Sequence, residues 1–177
     1  MLEALITSKT RIKLLLKFFL NSKSSAYLRN LESEFGESTN AIRVELIRFE
    51  KAGLLKSWHQ GNKKLFQANT DHPLYSSLHG LILKHVGLDR VIINVIEKIG
   101  EVKSVFVVGS FAKGLDNKII DLIFVGEEID RNYLSELTLK AEKLIDRKIR
   151  YLILSLDEFD TYLNDNKGIE PLLLWKE

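Results

Sequence analysis

The residues with the clearest chemical meaning lie in the string Val107-Val108-Gly109-Ser110-Phe111-Ala112-Lys113-Gly114 and in the apolar run that follows, Ile119–Val125. A glycine after an apolar run lets the main chain approach a phosphate closely, and a serine with neighbouring N–H groups at a helix start can hold phosphate oxygens. A tight strand-to-helix turn explains the same glycines equally well. The candidate nucleotide-binding residues are Gly109, Ser110, Lys113 and Asp121.

A second group of residues could contact nucleic acid. In the segment 39–52, Ile42, Leu46 and Phe49 recur at helical spacing and are expected to face inward. A helix fits the DNA major groove and presents the side chains of its N-terminal turn to base edges, and an arginine can fork onto guanine or phosphate. A later turn carries two cations suited to a backbone or minor-groove contact. The candidate DNA-binding residues are Ser38, Thr39, Asn40, Arg43, Lys63 and Lys64, with Ile47 also outward.

The elements that must position this second group are three helices and a hairpin. The pattern predicts helices over 8–21, 25–35 and 39–52, with Gly36 and Gly53 as helix ends and Ser38 as an N-cap. Two short strands follow, Leu54–Trp58 and Lys64–Ala68, joined by a hairpin turn at 59–63. This order predicts a winged helix-turn-helix domain.

The first group requires alternating strands and helices. Helices are predicted over 74–86, 89–99, 130–146 and Leu156–Leu163, and strands at Val105–Val108, Ile119–Val125, Ile149–Leu154 and Pro171–Trp175, the last at an edge. The predicted fold class is α+β: a winged helix-turn-helix domain at 1–72, a connecting helix at 73–87, and a small α/β domain with a mixed sheet at 88–177.

The segments Asn40–Leu46 and Phe49–Leu55 resemble winged helices of the bacterial ArsR and MarR type, in which the recognition helix runs into a strand followed by a basic wing. The resemblance covers residues 8–69 and implies DNA binding. Winged helices also serve as protein-docking modules, and Glu37 and Glu45 are expected to weaken the local positive potential. A protein-interaction module is therefore the alternative.

The string around Gly109 resembles the minimal nucleotidyltransferases of the DNA polymerase β superfamily, in which a Gly-Ser turn and short helix precede a strand bearing Asp-x-Asp. The resemblance implies two Mg²⁺ ions held by paired carboxylates. Asp121 matches the second carboxylate, but Ile119 stands at the first, and the later strand Arg150–Leu154 has no acid. Asp116 lies too early to share the strand face of Asp121 without a bulge. Asp121 is therefore expected to pair with a Lys or Arg, or to cap a loop.

Composition and charge exclude several classes of protein. The 177 residues are 45% hydrophobic and 28% charged, as in ordinary folded domains. The chain has no cysteine, which excludes disulfides, thiolate zinc sites and cysteine nucleophiles, and its four histidines give no metal-ligand spacing. With no bilayer-length apolar run and no signal-peptide pattern, we expect a cytoplasmic protein without a membrane partner.

The charge is divided unevenly along the chain. Residues 1–72 hold twelve Lys and Arg against seven Asp and Glu, a net charge of +5, whereas residues 73–177 hold fourteen against seventeen, a net charge of −3. A basic first half and an acidic second half suggest two modules with different partners, the first a candidate for nucleic acid.

The domain order resembles that of small prokaryotic regulators fused to nucleotidyltransferase-like domains, and Leu154–Phe159 resembles a stretch found after the third strand in such domains. The expected function is a DNA-binding transcriptional regulator, a homodimer on double-stranded DNA, whose second domain has lost catalysis and serves nucleotide sensing or assembly. The candidate nucleotide is ATP or another nucleoside triphosphate with Mg²⁺. The alternatives are an active Mg²⁺-dependent nucleotidyltransferase that modifies a protein or small molecule, and an antitoxin-like module with a protein partner.

Overall fold

The computed structural model describes residues 2–99, 101–166 and 170–177, which form a mixed α+β protein with two separate sheets. The chain divides into two compact units, Met1–His85 and Val86–Glu177. The first unit holds a three-stranded antiparallel sheet and the second a four-stranded mixed sheet. The predicted α+β class is confirmed.

The first unit has the element order of a winged helix. After a 3₁₀ helix at Leu2–Ala4, the elements are α1 (Lys9–Phe19), β1 (Ser25–Tyr27), α2 (Leu28–Phe35), α3 (Thr39–Lys51), β2 (Leu55–Gln60), β3 (Lys63–Ala68) and α4 (Tyr75–Val86). The strands lie in the order β1-β3-β2. The hairpin β2–β3, here called the wing, turns through Gly61 and Asn62, because Gln60 pairs directly with Lys63.

Two predicted boundaries in this unit are wrong. The segment Ser25–Tyr27 was expected to begin a helix but is extended and pairs with Leu65–Gln67. Burial explains the difference, because Ala26 is 4% exposed opposite Phe66. Pairing between β1 and β3 also gives the buried main chain of each strand its hydrogen-bond partners. The hairpin turn is two residues long rather than five, since both strands extend into the predicted turn.

Local signals fix the ends of the three helices. Ser8 caps α1 by accepting a hydrogen bond from the N–H of Arg11, and Ser38 caps α3 by accepting one from the N–H of Ala41. Gly36 ends α2 with φ +62, a left-handed conformation that favours glycine. The apolar faces of these helices then meet in a buried core that includes Leu14, Phe18, Phe19, Leu31, Ile42 and Leu46.

The carboxylate of Glu45 joins α3 to α1, whereas the sequence analysis expected it to weaken the local positive potential. Its side chain is 7% exposed and accepts hydrogen bonds from Arg11 Nε at 2.9 Å, Arg48 Nη1 at 3.1 Å and Ser8 Oγ at 3.3 Å. Burial raises the pKa of Glu45, but the hydrogen bond and charge of Arg11, then Arg48 and Ser8, lower that pKa below its ordinary value overall. This acid is neutralised inside the unit.

The second unit is built on the sheet β6-β5-β4-β7, in which only β5 and β6 run parallel. Its elements are α5 (Leu88–Val91), a π-helical segment (Ile92–Ile96), α6 (Glu97–Ile99), β4 (Ser104–Val108), α7 (Gly109–Ala112), β5 (Ile119–Val125), α8 (Arg131–Ile145), β6 (Lys148–Leu154), α9 (Leu156–Asp165) and β7 (Leu172–Lys176). Helix α9 covers part of one sheet face, where Phe159 stacks on Phe106 with ring centroids 4.5 Å apart.

The predicted helix 89–99 is not a regular α-helix. Its middle, Ile92–Ile96, is π-helical. The side chain of Asn94 donates a hydrogen bond to the carbonyl of Arg90 at 2.9 Å, and such a side-chain bond competes with the main-chain ladder. In the described parts of the chain, no helix has the length and apolar content that a membrane span requires.

We expect Glu45→Gln to lower the free energy of unfolding of the first unit by about 1–2 kcal/mol near neutral pH, because Arg11 and Arg48 lose a charged acceptor. A carboxylate with a lowered folded-state pKa stabilises at neutral pH and loses that contribution as the pH falls below the ordinary range of glutamate. The difference between wild type and variant should therefore shrink in acid. Urea unfolding followed by Trp58 fluorescence in a Trp175→Phe background measures it.

The matched control is Glu32→Gln, an exposed acid on α2. This substitution should change the free energy of unfolding by less than about 0.5 kcal/mol. Equal losses in the two variants, or a loss at Glu45 that does not depend on pH, would contradict the role given to the buried carboxylate.

Candidate functional site

The N-terminal turn of α3 lies at the surface of the first unit. Ser38, Asn40 and Arg43 are exposed and Thr39 is half-buried. The hydroxyl of Ser38 already accepts the capping hydrogen bond from the N–H of Ala41, which uses one of its two lone pairs. The outward residues of α3 farther along include the apolar Val44 and Ile47 and the basic Arg48 and Lys51.

A groove runs between α3, the first turn of α2 and the wing, and it is here called the α3–wing groove. Its volume is about 650 Å³. It is lined by Tyr27, Leu28, Arg29, Arg43, Leu46, Ile47, Asn62, Lys63, Lys64 and Phe66. Of the predicted DNA-binding residues, the structure therefore brings Arg43, Lys63 and Lys64 together, while Ser38, Thr39 and Asn40 lie outside the lining.

The cations of the groove differ in how far they are neutralised. Lys64 Nζ lies 2.7 Å from Glu50, which also accepts a hydrogen bond from Ser57. These bonds, that from Lys64 first, lower the pKa of Glu50. Within the described part of the chain, Arg29 and Arg43 form no ion pair. The ammonium of Lys63 lies 4.5 Å from the centre of the Tyr27 ring, a cation–π contact that leaves its charge in place.

Arg29 is a groove residue that the sequence interpretation missed. It lies in the first turn of α2, whereas the predicted helix began three residues earlier and placed it in mid-helix. No local pattern marks this helix start, because the pairing of Ser25–Tyr27 with β3 determines it. The acid Glu37, expected to weaken the potential, is held by Lys13 at 2.8 Å.

In the second unit, Gly109 brings the main chain against Asp121. Gly109 has φ +67, and a Cβ atom built there would lie 2.9 Å from Asp121 Oδ2. The other oxygen of Asp121, Oδ1, accepts a hydrogen bond from Arg150 Nε at 2.7 Å, and this contact raises the pKa of Arg150. The pairing of Asp121 with a basic residue, expected from the sequence, is confirmed.

These residues border a shallow cleft of about 370 Å³ in the second unit. It is lined by Val108, Gly109, Asp121, Leu122, Arg150, Tyr151, Leu152 and Tyr162. Of the predicted nucleotide-binding residues, Gly109 and Asp121 meet there. Ser110 is outside the lining, and its Oγ accepts a hydrogen bond from Asn117 Nδ2 at 3.1 Å. Lys113 is exposed and also outside the lining.

The residues around Asp121 do not fit a pair of magnesium ions. Asp116, the alternative second ligand, forms an ion pair with Arg147 at 2.7 Å. Asp121 has a guanidinium on one oxygen, and its partner on the same strand face is Ile119. Among the described residues, no cluster of three or more His, Asp or Glu side chains could hold a metal ion. A magnesium site needs several hard oxygen ligands, and they are not assembled here.

No model of a known protein family matches the chain, and no curated protein sequence matches it. It is a weak structural neighbour of two archaeal proteins. AF1382 from Archaeoglobus fulgidus is 11% identical, with 53% of this chain and 99% of that chain aligned and a TM-score of 0.38. TrmBL2, an archaeal chromatin protein with a novel mode of DNA binding, is 15% identical, with 81% of this chain and 64% of that chain aligned and a TM-score of 0.25. Both scores are too low to establish a common fold.

We expect Gly109→Ala to destabilise the second unit by about 1–3 kcal/mol, because the new methyl group must adopt a left-handed conformation and displace the Asp121 carboxylate. In an Asp121→Ala background the contact disappears and only the conformational cost remains, so the two substitutions should be non-additive. Urea unfolding followed by Trp175 fluorescence in a Trp58→Phe background gives the unfolding free energies of this double-mutant cycle. Strict additivity would show that Gly109 and Asp121 are not in contact.

Proposed function

We propose that the first unit binds double-stranded DNA, with the N-terminal turn of α3 in the major groove and the wing on the backbone or minor groove. The observation that carries this proposal is the convergence of Arg29, Arg43 and Lys63 on one groove, with their charges not neutralised by any described acid. Free cations grouped on one face are the electrostatic requirement for binding phosphates.

The roles of the candidate residues follow from their positions. Asn40 and Arg43 are exposed near the start of α3 and can reach base edges, as amide and guanidinium groups do on adenine and guanine. Lys63, at the start of the second wing strand, suits a phosphate contact. Lys64 must give up part of its interaction with Glu50 to bind a phosphate, so we assign it a smaller contribution. We propose on this basis that the protein is a transcriptional regulator, and that it binds paired half-sites as winged-helix homodimers do.

We expect Arg43→Ala and Lys63→Ala each to weaken binding to fragmented genomic DNA several-fold. Lys63→Ala should also reduce the slope of log affinity against log salt by about 0.9, because a cation on a phosphate releases about one counterion. Arg43→Ala should instead reduce the selectivity between fragments, because a base-edge contact is lost. Lys64→Ala should have a smaller effect. The matched control is Lys51→Ala, an exposed cation in the last turn of the same helix.

Retention of DNA fragments is measured at two salt concentrations, by filter binding or gel shift. Selective retention of a few fragments supports a regulator. Absence of binding even at low salt, where non-specific contacts are strongest, would contradict the proposal and favour the protein-interaction module.

We also propose that the second unit binds a nucleoside triphosphate without transferring it. Two observations favour this: Gly109 lines the cleft, and the guanidinium of Arg150, which is 67% exposed and contacts Asp121 through Nε, borders the same cleft. A guanidinium offers phosphate oxygens several N–H donors and a positive charge, and a metal ion is the other common source of that charge. Such a domain would sense a nucleotide or support assembly rather than catalyse transfer.

ATP should therefore bind equally well in Mg²⁺ and in EDTA when measured by calorimetry, and Arg150→Ala should weaken binding about tenfold. Lys148→Ala, an exposed cation on the same strand that does not line the cleft, is the matched control. Mg²⁺-dependent transfer from ATP that disappears in Asp121→Asn would instead establish an active nucleotidyltransferase.

A further inference from the structure

The α3–wing groove has an apolar floor that phosphate contacts do not use. Leu46 and Phe66 form its base and are 2% and 6% exposed, while Leu28 is half-buried and Ile47 is 41% exposed along its walls. Phosphate oxygens gain nothing from apolar surface, whereas an apolar ligand body gains free energy from covering it. The floor and the cations above it therefore fit different parts of one ligand.

The charge of the groove has one sign. Among the described residues that line it, four are basic and none is acidic. Arg29 and Arg43 carry no ion pair within the described chain, and Lys63 is held over the ring of Tyr27 rather than by an acid. An anion would therefore meet guanidinium and ammonium groups without first displacing a carboxylate, except at Lys64.

We propose that the α3–wing groove binds a small organic anion with an apolar body, of the class of a medium-chain carboxylate. The chain lies against Leu28, Ile47 and Phe66, and the carboxylate faces Arg29 and Arg43. The volume of about 650 Å³ is in the range of small-molecule sites, and an apolar lining with a few charged groups is their usual composition.

One consequence rests on the proposed function. The groove shares Arg43 and Lys63 with the DNA-binding surface, so anion and DNA cannot both be bound through these side chains. The ligand therefore acts as a competitive inducer that releases the protein from DNA, and no conformational change has to be transmitted between distant sites.

Binding is tested by calorimetric titration of the full chain with octanoate, and with 1-octanol as the neutral ligand of the same chain length. Octanoate should bind and 1-octanol should bind at least tenfold more weakly. Ile47→Ser should weaken octanoate binding about tenfold by removing part of the apolar wall. The matched control is Val44→Ser, which changes a β-branched residue of equal exposure on the same helix outside the groove.

Equal effects of Ile47→Ser and Val44→Ser on octanoate affinity, or no octanoate binding by the wild type, overturn the proposed site. This conclusion does not depend on whether the protein binds DNA. Competition is measured separately, as the octanoate concentration that displaces a bound DNA fragment. Displacement that weakens in Ile47→Ser supports the inducer role, and octanoate binding without displacement overturns it. If Ile47→Ser weakens octanoate binding but the wild type binds no DNA, the proposed site is supported and only the DNA-binding function is contradicted.

Discussion

The surface of the first unit depends on the buried carboxylate of Glu45. This side chain pairs with Arg11 of α1, and together with the buried side chains of Ile42, Leu46 and Phe49 it fixes the rotation of α3 about its axis. Residues two positions to either side must then face away from α1, and these are Arg43 and Ile47. The charge and the apolar wall of the α3–wing groove thus depend on the buried face of α3, of which Glu45 is the polar member.

Ion pairs in the same unit determine where its positive charge is neutralised. Acids on the helices and the wing are held by nearby cations: Glu34 by Lys17, Glu37 by Lys13, Glu50 by Lys64 and Asp71 by Lys56. Among the described residues, the groove cations Arg29, Arg43 and Lys63 are left without an acid partner, so the positive charge at the groove is not neutralised. Most of these pairs are partly exposed and add little stability, so their main effect is on where positive potential remains.

Periodicity in the sequence was sufficient to find the long elements but not the contacts between them. The helix at 39–52 and the strands at 119–125 and 149–154 were predicted within one or two residues. The strand at Ser25–Tyr27 was missed because three residues show no alternation, and only its partner β3, some forty positions away, makes it extended. The pairing of Glu45 was missed for a related reason, since it depends on Arg11, 34 residues earlier.

The pairing of Asp121 was predictable because a lone carboxylate at a half-buried strand position needs a counter-charge. Its partner, Arg150, is the directly paired residue on the neighbouring parallel strand, so the sheet register itself supplies the cation. Asp121 is therefore held without a second acid at position 119, because a basic side chain supplies its counter-charge. A carboxylate placed at position 119 would leave the guanidinium in competition with any metal ion, which separates the architecture of this unit from the metal chemistry that the sequence resemblance implies.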